Sequence, residues 1–232
     1  MKGMHAGLSI MLVACLVLGG SQAAGTKLLT IKAGLGSTID SVIAGSTYEF
    51  DAGGLARMQD EALVTATADS IALEYADSGG SVSLPPGRVV MINLTAGRVR
   101  EINAAIGDGY PGARAALDEA RHLHARLTSL TTVQSRLESI TAEEVERYAA
   151  GVPSYELPVG RYRSTSAEWC LTVRRLDSAG SDRAAVFILS MRISSEKLDD
   201  QLHDEIYAQR SSHGDMWAPL PLSFWRHRNG RD

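Results

Sequence analysis

Apolar positions recur along this chain at two periods, and the periods predict its elements. Residues 26–106 are dominated by short runs and alternations of period two, the mark of strands. Residues 28–32 form one run, closed by Gly34 and Gly36, and Tyr48-Glu49-Phe50 reads as another after Gly45. In residues 70–76, Ile71, Leu73 and Tyr75 fall on one face, and Asp77-Ser78-Gly79-Gly80 supplies turn chemistry. Pro85-Pro86-Gly87 breaks the chain again. Residues 89–94 and 99–106 then read as strands joined at Thr95-Ala96-Gly97. The pattern predicts an antiparallel meander.

The period then changes to that of a helix. Pro111 suits a first helical position, and Ala113, Ala116, Leu117, Ala120, Leu123, Leu127 and Leu130 make one continuous apolar stripe. Arg114, Asp118, Arg121, His122 and Arg126 fall on the other side, so this helix is expected to lie across the meander. Thr141-Ala142-Glu143-Glu144 has capping-box form and opens a shorter helix that ends before Gly151. Residues 151–160, with Pro153 and Pro158, form the expected internal boundary. Beyond it Trp169, Leu171 and Val173 alternate with Cys170, Thr172 and Arg174, and residues 184–193 form the second arm of a hairpin turned at 177–182. Leu198, Leu202 and Ile206 mark a final helix. The expected fold is α+β: an antiparallel meander with helices packed on one face (24–150), then a hairpin, a helix and an aromatic tail (151–232) within the same domain.

The first 23 residues belong to a different pattern, that of an export signal. Lys2 gives a positive start, residues 7–18 are apolar, and Ser21-Gln22-Ala23 places small residues where a signal peptidase acts. The run is too short for a confident membrane span. Leu12-Val13-Ala14-Cys15 also matches a lipobox, in which Cys15 would be lipidated and tie the chain to a membrane. Cleavage after Ala23 is the preferred reading, because it uses the whole apolar run and leaves a polar start. Removing residues 1–23 takes away one base, Lys2, and no acid, so 23 bases against 27 acids become 22 against 27. That mild acidity speaks against a nucleic-acid partner, which requires concentrated basic surface. Cys170 is then the one cysteine left, and an internal disulfide is ruled out.

Candidate chemistry is sparse. The chain has no Gly-x-Ser-x-Gly and no Cys-x-x-Cys. Cys170, beside Trp169 and Leu171 in mid-strand, reads as a buried structural residue rather than a nucleophile. His122 and His124 point about 200° apart on their helix and cannot share a metal. Asp199 and His203 share a face, with Asp200 beside them, and read as a surface ion pair. No catalytic residue, metal ligand or cofactor is expected. Trp217, Phe224 and Trp225, in a proline-punctuated tail, are the expected partner-binding residues, since aromatic side chains dominate interface energetics.

Gly97-Arg98-Val99-Arg100-Glu101-Ile102, the linker through Tyr110-Pro111 and the helix containing Ala116-Leu117-Asp118-Glu119-Ala120-Arg121-His122-Leu123 resemble a strand–helix pattern of small exported bacterial immunity proteins. The later Trp-led hairpin over 169–193 is similar too. Such proteins protect against type VI secretion effectors that attack the envelope. The resemblance implies a non-enzymatic periplasmic protein that binds and neutralises a secreted effector, with association helped by the chain's acidity if the partner is basic. A structural or accessory envelope protein is the alternative, and a hydrolase or metal-binding protein the third reading. The helix stripe yields a first test. Leu123→Asp should lower stability by more than about 3 kcal/mol, far more than Arg121→Asp, as read from urea midpoints.

Overall fold

A computed structural model describes residues 28–77, 80–128, 132–135, 137, 139–151, 156–164, 166–176 and 186–230. The segment read as an export signal, with Cys15, lies outside the described residues, as do Leu130 and the hairpin turn at 177–182.

The fold is α+β, built on one mixed, mostly antiparallel sheet of nine strands among the described residues. β1 (Leu29–Ala33) is followed by two short helices, α1 (Ile39–Gly45) and α2 (Ala52–Ala56). These helices interrupt the stretch expected to be mainly strands. Each starts on a side-chain cap: Thr38 accepts from the Ser41 N–H and Asp51 from the Gly53 N–H. Tyr48 and Phe50 form no strand but pack edge to face at 5.1 Å in the loop between the helices. β2 (Glu61–Asp77) pairs with β1 in parallel and turns into β3 (Gly80–Ser83), a register that the expected all-antiparallel meander lacks. The crossover through α1 and α2 makes the parallel pairing possible.

β4 (Gly87–Thr95) and β5 (Arg98–Tyr110) form the hairpin expected there. Its turn holds Ala96 and Gly97 at positive φ, 52° and 71°. β5 runs beyond the expected end at Ile106, through Asp108 and Gly109 to Tyr110. Gly107 and Gly109 take positive φ and shift the register inside the strand instead. Pro111 therefore precedes the helix, and α3 (Ala113–Leu127) begins after Gly112. Its six expected stripe residues from Ala113 to Leu127 are all buried.

β6 (Thr132–Ser135) leads to α4 (Ala142–Gly151), which carries the expected capping box. The Thr141 N–H donates to Glu144 Oε2 at 2.8 Å, and the Glu144 N–H donates to Thr141 Oγ1 at 3.2 Å. β7 (Leu157–Arg163), β8 (Glu168–Leu176) and β9 (Val186–Ser194) follow. β9 pairs with both β8 and β5, giving the order β1-β2-β4-β5-β9-β8-β7-β6. The expected boundary at 151–160 is thus no break in the sheet: β7 runs through Pro158 and Gly160, and one sheet holds both halves.

Inward side chains of β2, β4, β5, β7, β8 and β9 make one core with α3, α4, α1 and α2. α5 (Glu196–Ser212) and α6 (Leu222–Asn229) close the end of the sheet at the β4–β5 turn. There Ala96, Leu202, Ile206 and Trp225 form a small second cluster. A Cβ on Gly97 would come within 2.9 Å of the Trp225 Cβ, so glycine is needed for close packing as well as for its φ.

Charge fixes this end. Asp60, 1% exposed, accepts from Arg210 Nε at 2.7 Å, from the second Arg210 nitrogen at 2.8 Å, and from the Leu220 N–H at 3.0 Å. Arg226 pairs with Asp40, Arg100 with Asp199, and Arg228 with Glu205. Burial opposes ionisation of Asp60, but the Arg210 guanidinium and the backbone donors outweigh it and hold the carboxyl below the usual carboxylate range. Its stabilisation is therefore complete above the unfolded value of about 4 and is lost as pH falls through the lower folded value. Asp60→Asn should cost about 3 kcal/mol at neutral pH. The gap to wild type in urea midpoints should narrow steadily below about pH 4.

Candidate binding surface

Strand alternation gives the sheet a second face, on the side away from α3 and α4. Beyond the end closed by α5 and α6, no described helix packs on it. Register sets its side chains in rows. One row runs Leu63, Asn93, Glu101, Ser194, Glu168 and Arg163, from β2 across to β7. The next runs Thr65, Met91, Asn103, Arg192, Cys170 and Arg161. A third places Ala105, Ser190, Thr172 and Pro158 side by side. Nearly all of these residues are half-buried or exposed.

The centre of this face is held by hydrogen bonds. Asn93 Nδ2 and Asn103 Nδ2 each donate to Glu101 Oε1 at 2.8 Å. The carboxylate is thereby fixed between two amides of neighbouring strands, and its rotamer is chosen before any partner arrives. Further along, Arg192 and Arg161 stand on either side of Cys170 in register. Cys170 is therefore not the buried core residue expected from Trp169 and Leu171. It is half-buried on the opposite face, because the strand period sends it away from both neighbours.

The aromatic residues expected to bind a partner are divided by the structure. Trp225 is 0% exposed, seated against Ala96, Leu202 and Ile206, and is a packing residue. That corrects its assignment as a binding residue: the tail forms α6, whose inward face needs a large apolar side chain. Phe224 is half-buried, stacked edge to face on Trp225 at 5.2 Å and on His213 at 5.2 Å. Trp217 alone of the three stands in solvent, 75% exposed, in a turn where its N–H donates to Asp215 Oδ1 at 2.8 Å. Tyr207 and Met216 are also exposed. Nothing in the sequence separates Trp217 from Trp225, since both lie in the same proline-punctuated tail.

The histidines and acids take structural positions. His124 Nδ1 lies 2.9 Å from the Tyr162 hydroxyl, whose ionisation burial makes harder. His203 is more than half of an intrahelical pair: Nδ1 lies 3.4 Å from Asp199 Oδ1, and Nε2 reaches Glu61 on β2 at 3.0 Å. It ties α5 to the sheet. Among the described residues no three histidine, cysteine or acidic side chains are grouped to hold a metal ion. A recess of about 450 Å³ at the β1–β2–β3 edge is lined by Lys32, Gly34, Ser37, Glu74, Tyr75 and Ser81 among others, and Lys32 pairs with Glu74 across it at 3.2 Å. Its lining includes no histidine to activate a serine, and the one amine there, Lys32, is paired with Glu74.

The division of the aromatics can be measured. Trp225→Ala should cost about 3–5 kcal/mol of stability, whereas Trp217→Ala should stay within about 0.5 kcal/mol of wild type, both by urea titration. Compared with known protein families, characterised proteins and solved structures, the chain matches none of them.

Proposed function

We propose that this is an exported, non-enzymatic binding protein of immunity type, which neutralises an envelope-acting secreted effector by covering part of its surface. The observation that carries this reading is the sheet face on which no described helix packs beyond the end closed by α5 and α6. It extends in register from β2 to β7 and is already organised around Glu101 by Asn93 and Asn103. Pre-ordered polar groups of this kind reduce the ordering cost of association and set register with a partner. Trp217, held out by its Asp215 turn, supports the same reading as an aromatic anchor of the sort that concentrates binding energy. The resemblance of the 97–130 strand–helix unit to immunity proteins points the same way.

The test is competition between sibling cells. A strain lacking this protein should be killed by its wild-type siblings, and the full chain supplied in trans should restore survival. The effector should co-purify with the protein from mixed cultures, and Trp217→Ala should weaken that capture about tenfold or more. Equal survival of the deletion strain would overturn the reading. An envelope defect without any attacker would assign the protein instead to envelope structure.

A further inference from the structure

The outer face of β7, β8 and β9 carries a charge opposite to that of the chain. The whole sequence is acidic, with 23 bases, 27 acids and a net charge of −4. On these three strands, however, the outer positions display Arg161, Arg163, Arg174 and Arg192 against a single carboxylate, Glu168. Glu168 is already paired with Arg163. Arg161, Arg174 and Arg192 form no ion pair among the described residues. Among the described residues the buried Nε of Arg174 has no hydrogen-bond partner, which is unfavourable for that group.

Register sets the geometry of these cations. Arg192 and Arg161 flank Cys170 from the two neighbouring strands, so their backbones are about 10 Å apart. Arg174 lies four residues further along β8 than Cys170, about 13 Å away. Between them the surface consists of short side chains, Cys170, Thr172 and Ser190, which leave a low floor within reach of three long ones. We propose that this three-arginine patch docks an acidic protein segment, whose separate carboxylates pair with the guanidinium groups through bidentate hydrogen bonds.

A continuous polyanion fits less well. Glu101 and Glu168 lie one row from Arg192 and Arg161 on the same face and would repel a nucleic-acid backbone or an anionic bilayer spread across it. A folded partner can place carboxylates over the arginines and donors over Glu101. The inference rests on the reading of this chain as a partner-binding protein, and it reverses the expectation of a basic partner drawn by the chain's net acidity. The local field at the docking face, not the net charge, selects what binds.

The probe is a glutamate homopeptide, with a glutamine homopeptide of equal length as control, titrated by fluorescence anisotropy against the full chain at low and raised salt. The glutamate peptide should bind in preference and weaken as salt rises. The combined Arg161→Glu, Arg174→Glu and Arg192→Glu variant should lose about tenfold or more in affinity, with a Tm within a few degrees of wild type. If that variant fails to fold, Arg192→Glu alone, at an exposed position, should lose about threefold. Equal binding of the two peptides, binding unchanged by the substitutions, or tighter binding to phosphatidylglycerol vesicles or a DNA oligonucleotide would overturn the proposal. The sibling assay separates its failure from that of the functional reading. Protection by both wild type and the folded triple variant would remove the patch and leave the function. Absence of protection by wild type, with the glutamate peptide still held through the arginines, would remove the function and leave the patch.

Discussion

The pairing of β5 with β9 is the constraint on which the rest of the molecule depends. Through it Glu101 faces Ser194, Asn103 faces Arg192 and Ile106 faces Leu189, and two hairpins distant in sequence become one sheet. Since side chains alternate along a strand, this one register decides the face of every residue on both hairpins at once. A slip by one residue would send Leu189, Met191 and Ile193 into solvent and Arg192 into the core. The burial of those three apolar side chains under α3 is what holds the register. The same choice puts Asn103 beside Arg192 and gives the outer face its continuous rows.

The inner and outer faces are held by different physics. Inside, α3 supplies a stripe of small and branched apolar residues that fits over the strands, and the energy is that of burial. At the β4–β5 turn the apolar cluster is small, and α5 and α6 are positioned by polar contacts: the ion pairs of Asp60 with Arg210, Asp199 with Arg100 and Asp40 with Arg226, and the contact of His203 Nε2 with Glu61. Only the Asp60 pair is deeply buried, and it is also joined to backbone, through Leu220 and through the Asp60 carbonyl to Ala96. The exposed pairs contribute little stability each but restrict where the helices sit.

Much of the fold was legible because it follows from local rules. The α3 stripe, the Thr141–Glu144 capping box, the β4–β5 hairpin and the Trp169–Leu171–Val173 alternation each depend on residues within one or two turns of chain. The misreadings came where a local signal was overruled from a distance. The strand read as ending at Ile106 is carried on to Tyr110 by pairing with β9, through a shift of register. Tyr48 and Phe50 have strand propensity but pack on one another in a loop. The stretch 151–160 runs from the end of α4 into β7, and β7 takes Pro158 and Gly160 into the strand.

By itself the sequence determined the α+β class, the helix that covers the sheet, and which residues of β8 and β9 point the same way. Those properties are periodic, and periodicity is read along the chain. Tertiary structure alone decided that Trp225 is core while Trp217 is solvent-facing, that Cys170 stands between two arginines, and that Glu101 is gripped by Asn93 and Asn103. Each of these depends on which strand or helix lies alongside, and strand order is fixed by burial summed over the whole sheet. An acidic chain can therefore present a basic face, because net charge is a sum over residues and a surface is a matter of neighbours.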